Sequence, residues 1–295
     1  MKKIILITGA TDGLGKVAAK DLAKKGHTVI IHGRNKEKAQ ALCKEIKTET
    51  GNKNVDTIIA DLLSFTDVKR MAEEFKSRYE RLDVLINNAG AMFGKNREVT
   101  KHGTEKTMTL NVYSPMLLTE LLMEVLVKSP SARIINTSSS MHRRAVMPDF
   151  DDMQLEKNYS PTGAYATSKL YLIWLTRHMK SELRKQGIRN VTANASHPGA
   201  AATQFGQNDD KGFLVNMVFK SVSVLSKIFP TLASAEKGAA TTIYLATSQQ
   251  IEGVSGMYFD NKMKEEKPED KHYSIENEKI LWDSCMQVIH PYLNK

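Results

Sequence analysis

No stretch of this chain approaches the ~18 uninterrupted apolar residues that a membrane-spanning helix needs. The longest candidate, residues 117–127, is broken by Glu120 and Glu124, so no transmembrane segment is expected. Cysteine is scarce: Cys43 and Cys285 stand far apart, which excludes a disulfide framework. With no CxxC pair, and no HxxxH pair among its eight histidines, the chain carries no metal-ligand signature, and no metal is expected. It also lacks the longer apolar core and small-residue cleavage site of a signal peptide. After Met1-Lys2-Lys3 only five apolar or neutral residues precede a glycine-rich turn, and a cytoplasmic protein is expected. There is no low-complexity tract and no Pro/Gly/Ser linker, so residues 1–295 read as a single domain.

What is present is ordinary globular composition, 41% hydrophobic and 25% charged over 295 residues. Basic residues outnumber acidic ones, 42 to 33, for a net charge of +9. An excess of that sign can mark nucleic-acid binding or an anionic surface. Here the signs alternate, as in Lys20-Asp21, Lys36-Glu37-Lys38 and Lys264-Glu265-Glu266-Lys267, which is the pattern of solvated faces. No nucleic-acid partner is expected, and a modest positive field suits an anionic cofactor.

Short β-branched runs at 3–8, 28–32, 55–60, 84–87, 133–137, 191–196 and 257–259 alternate with helical patterns at 14–25, 36–50, 67–79, 103–127, 161–186 and 233–246. The first six runs are continuously apolar, as strands buried on both faces should be. Strand, helix, strand, repeated with right-handed crossovers, predicts an α/β fold: a doubly wound, Rossmann-type parallel sheet of about seven strands with helices on both faces. Three segments depart from the repeat. They are a polar insertion at 140–160, an excursion at 200–232, and a C-terminal extension at 261–295. The extension comprises a charged tail at 261–273 and an amphipathic helix carrying Ile275, Ile280, Leu281, Val288 and Ile289.

Thr8-Gly9-Ala10-Thr11-Asp12-Gly13-Leu14-Gly15 joins the first strand to the first helix. Glycines let a backbone turn tightly and approach a pyrophosphate, while a helix N-terminus offers free N–H groups and a positive dipole. The spacing is GxxxGxG rather than GxGxxG, but its place after a first strand and before a helix suits a dinucleotide. The second strand ends His32-Gly33-Arg34-Asn35, without the acid that holds an NAD ribose 2′-hydroxyl. Arg34 can instead grip a 2′-phosphate with forked hydrogen bonds, so NADP(H) is the expected cofactor.

Tyr165-Ala166-Thr167-Ser168-Lys169 lies on a helical pattern, and a spacing of four puts phenol and ammonium on one face. A neighbouring ammonium stabilises a phenolate and lowers its pKa, which would make the tyrosine an acid–base group. Ser138-Ser139 follow the fifth strand, where a hydroxyl can meet a substrate oxygen as charge develops on it. Both Ser/Thr turns and surface Tyr/Lys pairs are also ordinary structure. Asn111 sits as a weak helix former in an apolar helix, suited either to holding a water or to capping a kink.

Taken together, these residues resemble the short-chain dehydrogenase/reductase family. The matching elements are Thr8 to Gly15, Asp61-Leu62, Asn87-Asn88-Ala89-Gly90, Asn111, Ser139, Tyr165 with Lys169, and Pro198-Gly199, in family order from residue 3 to about 260. The resemblance implies that Tyr165 exchanges a proton with the carbonyl or alcohol oxygen. Lys169 would lower the tyrosine pKa and bind the nicotinamide ribose, Ser139 would orient the substrate oxygen, and Asn111 would support the proton relay. Ser139 is preferred to Ser138 because it stands six residues past Arg133, the family's offset. The resemblance also implies cofactor contacts from Gly9, Thr11, Asp12, Gly13, Leu14, Gly15, Arg34, Asn35, Asp61, Leu62, Asn88, Ala89 and Gly90. On the nicotinamide side it adds Tyr165, Lys169, Pro198, Gly199 and Thr203. Homodimers or tetramers are usual in the family.

Tyr165 lies 26 positions after Ser139, about twice the family spacing, and the intervening residues 148–159 resemble the retinol-dehydrogenase-like branch. That resemblance implies a carbonyl reductase or alcohol dehydrogenase acting on a small lipophilic carbonyl or alcohol. The alternatives are a C=C (enone-type) reductase and a non-catalytic NADP-sensing protein. An apolar stripe across 213–229, flanked by Lys220 and Lys227, reads as a substrate lid, as a peripheral membrane contact, or as plain packing.

Overall fold

A computed structural model describes residues 2–199, 235–268 and 271–293. Thr203 and the 213–229 stripe lie outside the described residues. The six apolar runs and a short seventh form strands β1 (Ile4–Ile7), β2 (Thr28–Gly33), β3 (Val55–Ile59), β4 (Val84–Asn87), β5 (Ala132–Thr137), β6 (Val191–Ser196) and β7 (Tyr258–Phe259). They pair in parallel in the order β3-β2-β1-β4-β5-β6-β7. The chain winds outward from β1 in one direction and then restarts at β4 in the other. The crevice opens at the carboxyl ends of β1 and β4, where that reversal occurs.

Alternate strand residues feed two apolar layers, as the two-residue period of a strand requires. Leu6, Ile30, Ile58, Leu85 and Ile134 pack under α3 (Phe65–Arg78), α5 (Ser114–Leu126), α6 (Pro161–Lys185) and α8 (Ile275–Leu293). Ile5, Ile7, Val29, Ile31, Val84 and Ile86 pack under α1 (Gly13–Lys24), α2 (Lys36–Thr50) and α7 (Ala235–Thr247). This is the doubly wound α/β fold expected from the sequence.

Helix α6 starts where Ser160 accepts the Gly163 N–H and Pro161 takes the first position, whose N–H needs no partner. From Ala164 to Thr176 every residue is buried, because the sheet lies on one side of the helix and α8 packs on another. Tyr165 and Lys169 are therefore interior groups, not an amphipathic surface pair.

Two expectations are corrected. The helix expected over 103–127 is interrupted: Gly103 adopts a left-handed φ of 78°, and Glu105 caps a short α4 (Lys106–Met108). A π-helical turn, Thr109–Tyr113, then precedes α5. Pro115 has no N–H to give the α-helical ladder, and Ser114 N–H reaches back five residues to the Thr109 carbonyl. The second correction concerns the extension. The start of the charged tail is ordered as a hairpin against β7, with Phe259 bridged antiparallel to Glu265. In α8, Leu281 and Ile289 are buried, whereas Ile275 and Ile280 face solvent.

Candidate active site

Each loop at the crevice is fixed by a specific set of hydrogen bonds. The Thr8 hydroxyl accepts the N–H groups of Asn88 and Ala89, both at 3.0 Å, so the exits of β1 and β4 are tied together. Asn88 Nδ2 donates to the carbonyls of Thr8 and Gly9, at 2.9 and 3.1 Å. Asn88 thus braces the glycine loop from below. A Cβ on Gly15 would stand 2.5 Å from the Gly9 carbonyl oxygen, so close packing of the loop on the first helix turn requires glycine there. Asp12 caps α1 by accepting the Gly13 N–H at 2.7 Å, with Thr11 and Leu14 half-buried on either side.

At the end of β2, Asn35 caps α2 by accepting the Lys38 N–H, while the Arg34 guanidinium is exposed and unpaired among the described residues. Asp61 Oδ1 accepts the Leu63 N–H at 3.0 Å. The buried Leu62 gives its carbonyl to the Ser114 hydroxyl. On the far side Pro198 and Gly199 leave β6, and Gly199 N–H donates to His197 Nδ1 at 3.1 Å.

A residue that the sequence reading missed holds the glycine loop. His32, buried at the end of β2, accepts the Gly9 N–H on Nδ1 at 3.1 Å. Its Nε2–H then donates to the Ala60 carbonyl, also at 3.1 Å. Both partners require the neutral ring, and burial pushes its pKa down to about 4. The signal available in the sequence was a polar residue ending a wholly apolar strand.

Ser139, Tyr165, Lys169 and Asn111 converge at the exits of β4 and β5. The Ser139 hydroxyl lies against the Tyr165 phenol, close enough to oppose the rise of its pKa. Ser138 is committed elsewhere, donating to the Lys169 carbonyl at 2.8 Å, which settles which of the two serines faces the tyrosine. Lys169 Nζ donates to the Thr137 carbonyl at 2.9 Å and lies 5.5 Å from the Tyr165 ring centroid. A Cβ on Gly90 would come within 2.9 Å of that ammonium and 3.1 Å of Asn111 Oδ1, so glycine makes room for both groups.

Asn111 lies in the π-helical turn. It bonds the Ala91 N–H and carbonyl, both at 3.0 Å, and donates to the Ser168 hydroxyl at 2.9 Å. Three of the four bonds an amide can make are taken, leaving one lone pair on Oδ1 for a further donor. Ser168 in turn donates to the Tyr165 carbonyl at 2.8 Å, so the turn and α6 are locked in register.

Burial dominates the electrostatics of the pair. Burial pushes the Tyr165 phenol up, opposed by the Ser139 hydroxyl, and it pushes the Lys169 ammonium down to about 8. The largest cause for each group is its desolvation. At neutral pH the pair is a protonated phenol beside an ammonium, and such an arrangement can give up a proton and stabilise the charge left behind.

Comparison with known proteins places this geometry. The short chain dehydrogenase family profile matches residues 3–212. Human polyprenol dehydrogenase is 37% identical over 290 residues, spanning 96% of this chain and 84% of that one. Human retinol dehydrogenase 13 is 33% identical, spanning 97% of this chain and 84% of its own. Among solved structures, a short chain dehydrogenase of Shigella flexneri 2a strain 301, complexed with NADP, superposes with a TM-score of 0.65 at 27% identity. It covers 88% of this chain and 97% of its own.

The His32 contacts yield a test. Its folded pKa of about 4 lies below the roughly 6.5 of an unfolded histidine, so between those values the unfolded chain binds the extra proton. Stability should be full above about pH 6.5 and fall as pH drops toward 4. His32→Asn should lower Tm at pH 7 and flatten its decline between pH 7 and 5, as read by thermal denaturation.

Proposed function

The chain belongs to the short-chain dehydrogenase family, and we propose that within it the protein is an NADP(H)-dependent oxidoreductase interconverting a lipophilic carbonyl and its alcohol. The observation that carries this reading is the contact of the Ser139 hydroxyl with the Tyr165 phenol, beside the buried Lys169 ammonium, at the mouth of the dinucleotide crevice.

The crevice fits the cofactor. Gly90 leaves the Lys169 ammonium uncovered, and Gly15 lets the glycine loop pack closely on the first helix turn. Arg34 offers an exposed guanidinium at the end of β2, with no carboxylate in His32-Gly33-Arg34-Asn35 to repel a 2′-phosphate. Thr137 Oγ1 is buried beside Lys169 with no partner among the described residues, as expected of a group reserved for a ligand. The Shigella flexneri structure with NADP supports the same choice. On the adenosine side Gly9, Thr11, Asp12, Gly13, Leu14, Asn35, Asp61, Leu62, Asn88 and Ala89 line the crevice, and Pro198 and Gly199 close its nicotinamide end.

When bound, the nicotinamide supplies or accepts a hydride at the substrate carbon. The protein does the rest. Ser139 and Tyr165 both offer hydroxyls to the substrate oxygen, aligning the carbonyl and stabilising charge as it develops there. In reduction Tyr165 donates its proton to that oxygen, and burial keeps the phenol protonated for this step. The Lys169 ammonium stabilises the phenolate left behind, and the free lone pair of Asn111 can hold a water through which the proton is replaced.

Lipophilic specificity draws on two observations. Polyprenol and retinol, in the names of the relatives, are long apolar alcohols. Val146 and Met147, 61% and 62% exposed, follow the turn that Ser139 caps and present apolar surface.

Two substitutions test this reading. Tyr165→Phe should lower NADPH-dependent carbonyl turnover at least ~10²-fold while leaving NADPH affinity within about twofold; unimpaired turnover would remove the acid–base role. Arg34→Leu should raise the KM for NADPH about ten- to hundredfold, the worth of charge-assisted hydrogen bonds. The KM for NADH should stay unchanged, and a parallel rise in both would refute the 2′-phosphate assignment.

A further inference from the structure

The paired strands β5 and β6 carry the two loops that flank the nicotinamide end of the crevice. Their ladder runs to Thr137 and Ser196, and one more bond, Ser138 N–H to the Ser196 carbonyl at 2.7 Å, closes it. Beyond that point one chain turns into the Ser139 loop and the short 3₁₀ turn Ser140–Arg144, and the other runs through His197 to Gly199. The spacing of these exits decides whether Ser139 and Tyr165 face a nicotinamide held against Pro198-Gly199.

A third segment bridges them. After β7 the chain folds back in a tight hairpin. Asp260 Oδ1 accepts the N–H groups of Lys262 and Lys264, at 2.8 and 2.9 Å, and Met263 adopts a left-handed φ of 63°. The Glu266 N–H then donates to the Tyr258 carbonyl at 2.8 Å. This delivers the Glu266 side chain to the carboxyl ends of β5 and β6.

One carboxylate oxygen, Oε2, accepts from His197 Nε2 at 3.0 Å, and the other takes the Arg143 guanidinium. His197 is buried, and its Nδ1 already accepts the Gly199 N–H. The ring is therefore a neutral strut whose two ends are Gly199 and Glu266. On the other exit, Arg143 belongs to the turn that Ser139 caps. The next residue back, His142, gives its Nδ1–H to the Ser139 carbonyl at 2.7 Å, with its ring edge-on to Tyr258. A continuous path of hydrogen bonds and one ion pair thus runs from Gly199 through His197, Glu266 and Arg143 to the Ser139 turn.

We propose that Glu266 is a positioning residue that sets the spacing between the Ser139 turn and the Pro198-Gly199 turn, and thereby the fit of the nicotinamide half of the cofactor. The proposal rests on the NADP(H) reading above. It makes the C-terminal extension part of the cofactor site, with Glu266 acting through His197 and Arg143. Its effect is local to one end of the crevice. The adenosine half, at the ends of β1 and β2, is held by the Thr8, Asn88 and His32 contacts, and none of these involves the hairpin.

The test compares two ligands on the full chain. NADPH, followed by the fluorescence of its nicotinamide, spans the crevice, whereas adenosine 2′,5′-bisphosphate, followed by calorimetry, occupies the adenosine end alone. Glu266→Ala should weaken NADPH about tenfold, an effect of 1.4 kcal/mol, while adenosine 2′,5′-bisphosphate stays within about twofold. Glu266→Gln keeps an acceptor for His197 but not the charge opposite Arg143, and should fall between. Glu265→Ala, which removes the adjacent carboxylate, should change neither ligand. Unchanged NADPH affinity in Glu266→Ala, or equal weakening of both ligands, would overturn the positioning role. Failure of the unsubstituted protein to bind NADPH would instead overturn the cofactor reading and this proposal with it.

Discussion

A lysine ammonium taken out of water must be met by oxygen, and around Lys169 the rest of the site is arranged to do so. The Thr137 carbonyl at the end of β5 receives one of its protons. Ser138, the next residue, turns the other way and holds the Lys169 backbone carbonyl, so strand and helix are clamped at the same point. Gly90 stays bare because any side chain would strike the ammonium, and the π-helical turn presents Asn111 to the same space. The cost of burial is visible in the ammonium pKa, pushed down to about 8. A buried group with a displaced pKa, set beside a phenol in a crevice, is a poor device for stability and a good one for moving protons.

Desolvation also fixes the resting protonation. From the spacing of Tyr165 and Lys169 alone, the lysine was expected to depress the phenol. In the folded protein the phenol is buried enough that its neutral form dominates. An ammonium beside a phenol stabilises the phenolate that proton transfer would leave, and so works against the effect of burial. One hydroxyl from Ser139 partly opposes the effect of burial.

The doubly wound sheet was legible because its strands are continuous apolar runs and its helices keep a 3.6-residue period, both properties of local sequence. The Tyr165/Lys169 pair and Ser139 were legible for the same reason: they lie at fixed spacings on one helix or at one strand end. What was hidden depends on contacts between distant segments. His32 looked like a strand residue until Gly9 and Ala60 closed on its two nitrogens. Glu266 sat in a run of alternating charges that read as a solvated face, and only the hairpin after β7 carries it to His197 and Arg143. The break in the helix before α5 follows from Gly103 and Pro115, and periodicity overrode both.

Tracking the hydride distinguishes carbonyl reduction from every other fate of the cofactor's electrons. The protein would be incubated with NADPH carrying deuterium at both C4 positions and with a panel of short and long aldehydes, a cyclic ketone, a steroid ketone and an enone. Products would be mapped by mass spectrometry and NMR. Deuterium is expected on the carbon that bears the new hydroxyl, with the longer apolar carbonyls favoured. Deuterium delivered to a former C=C carbon with the carbonyl left intact would contradict carbonyl reduction.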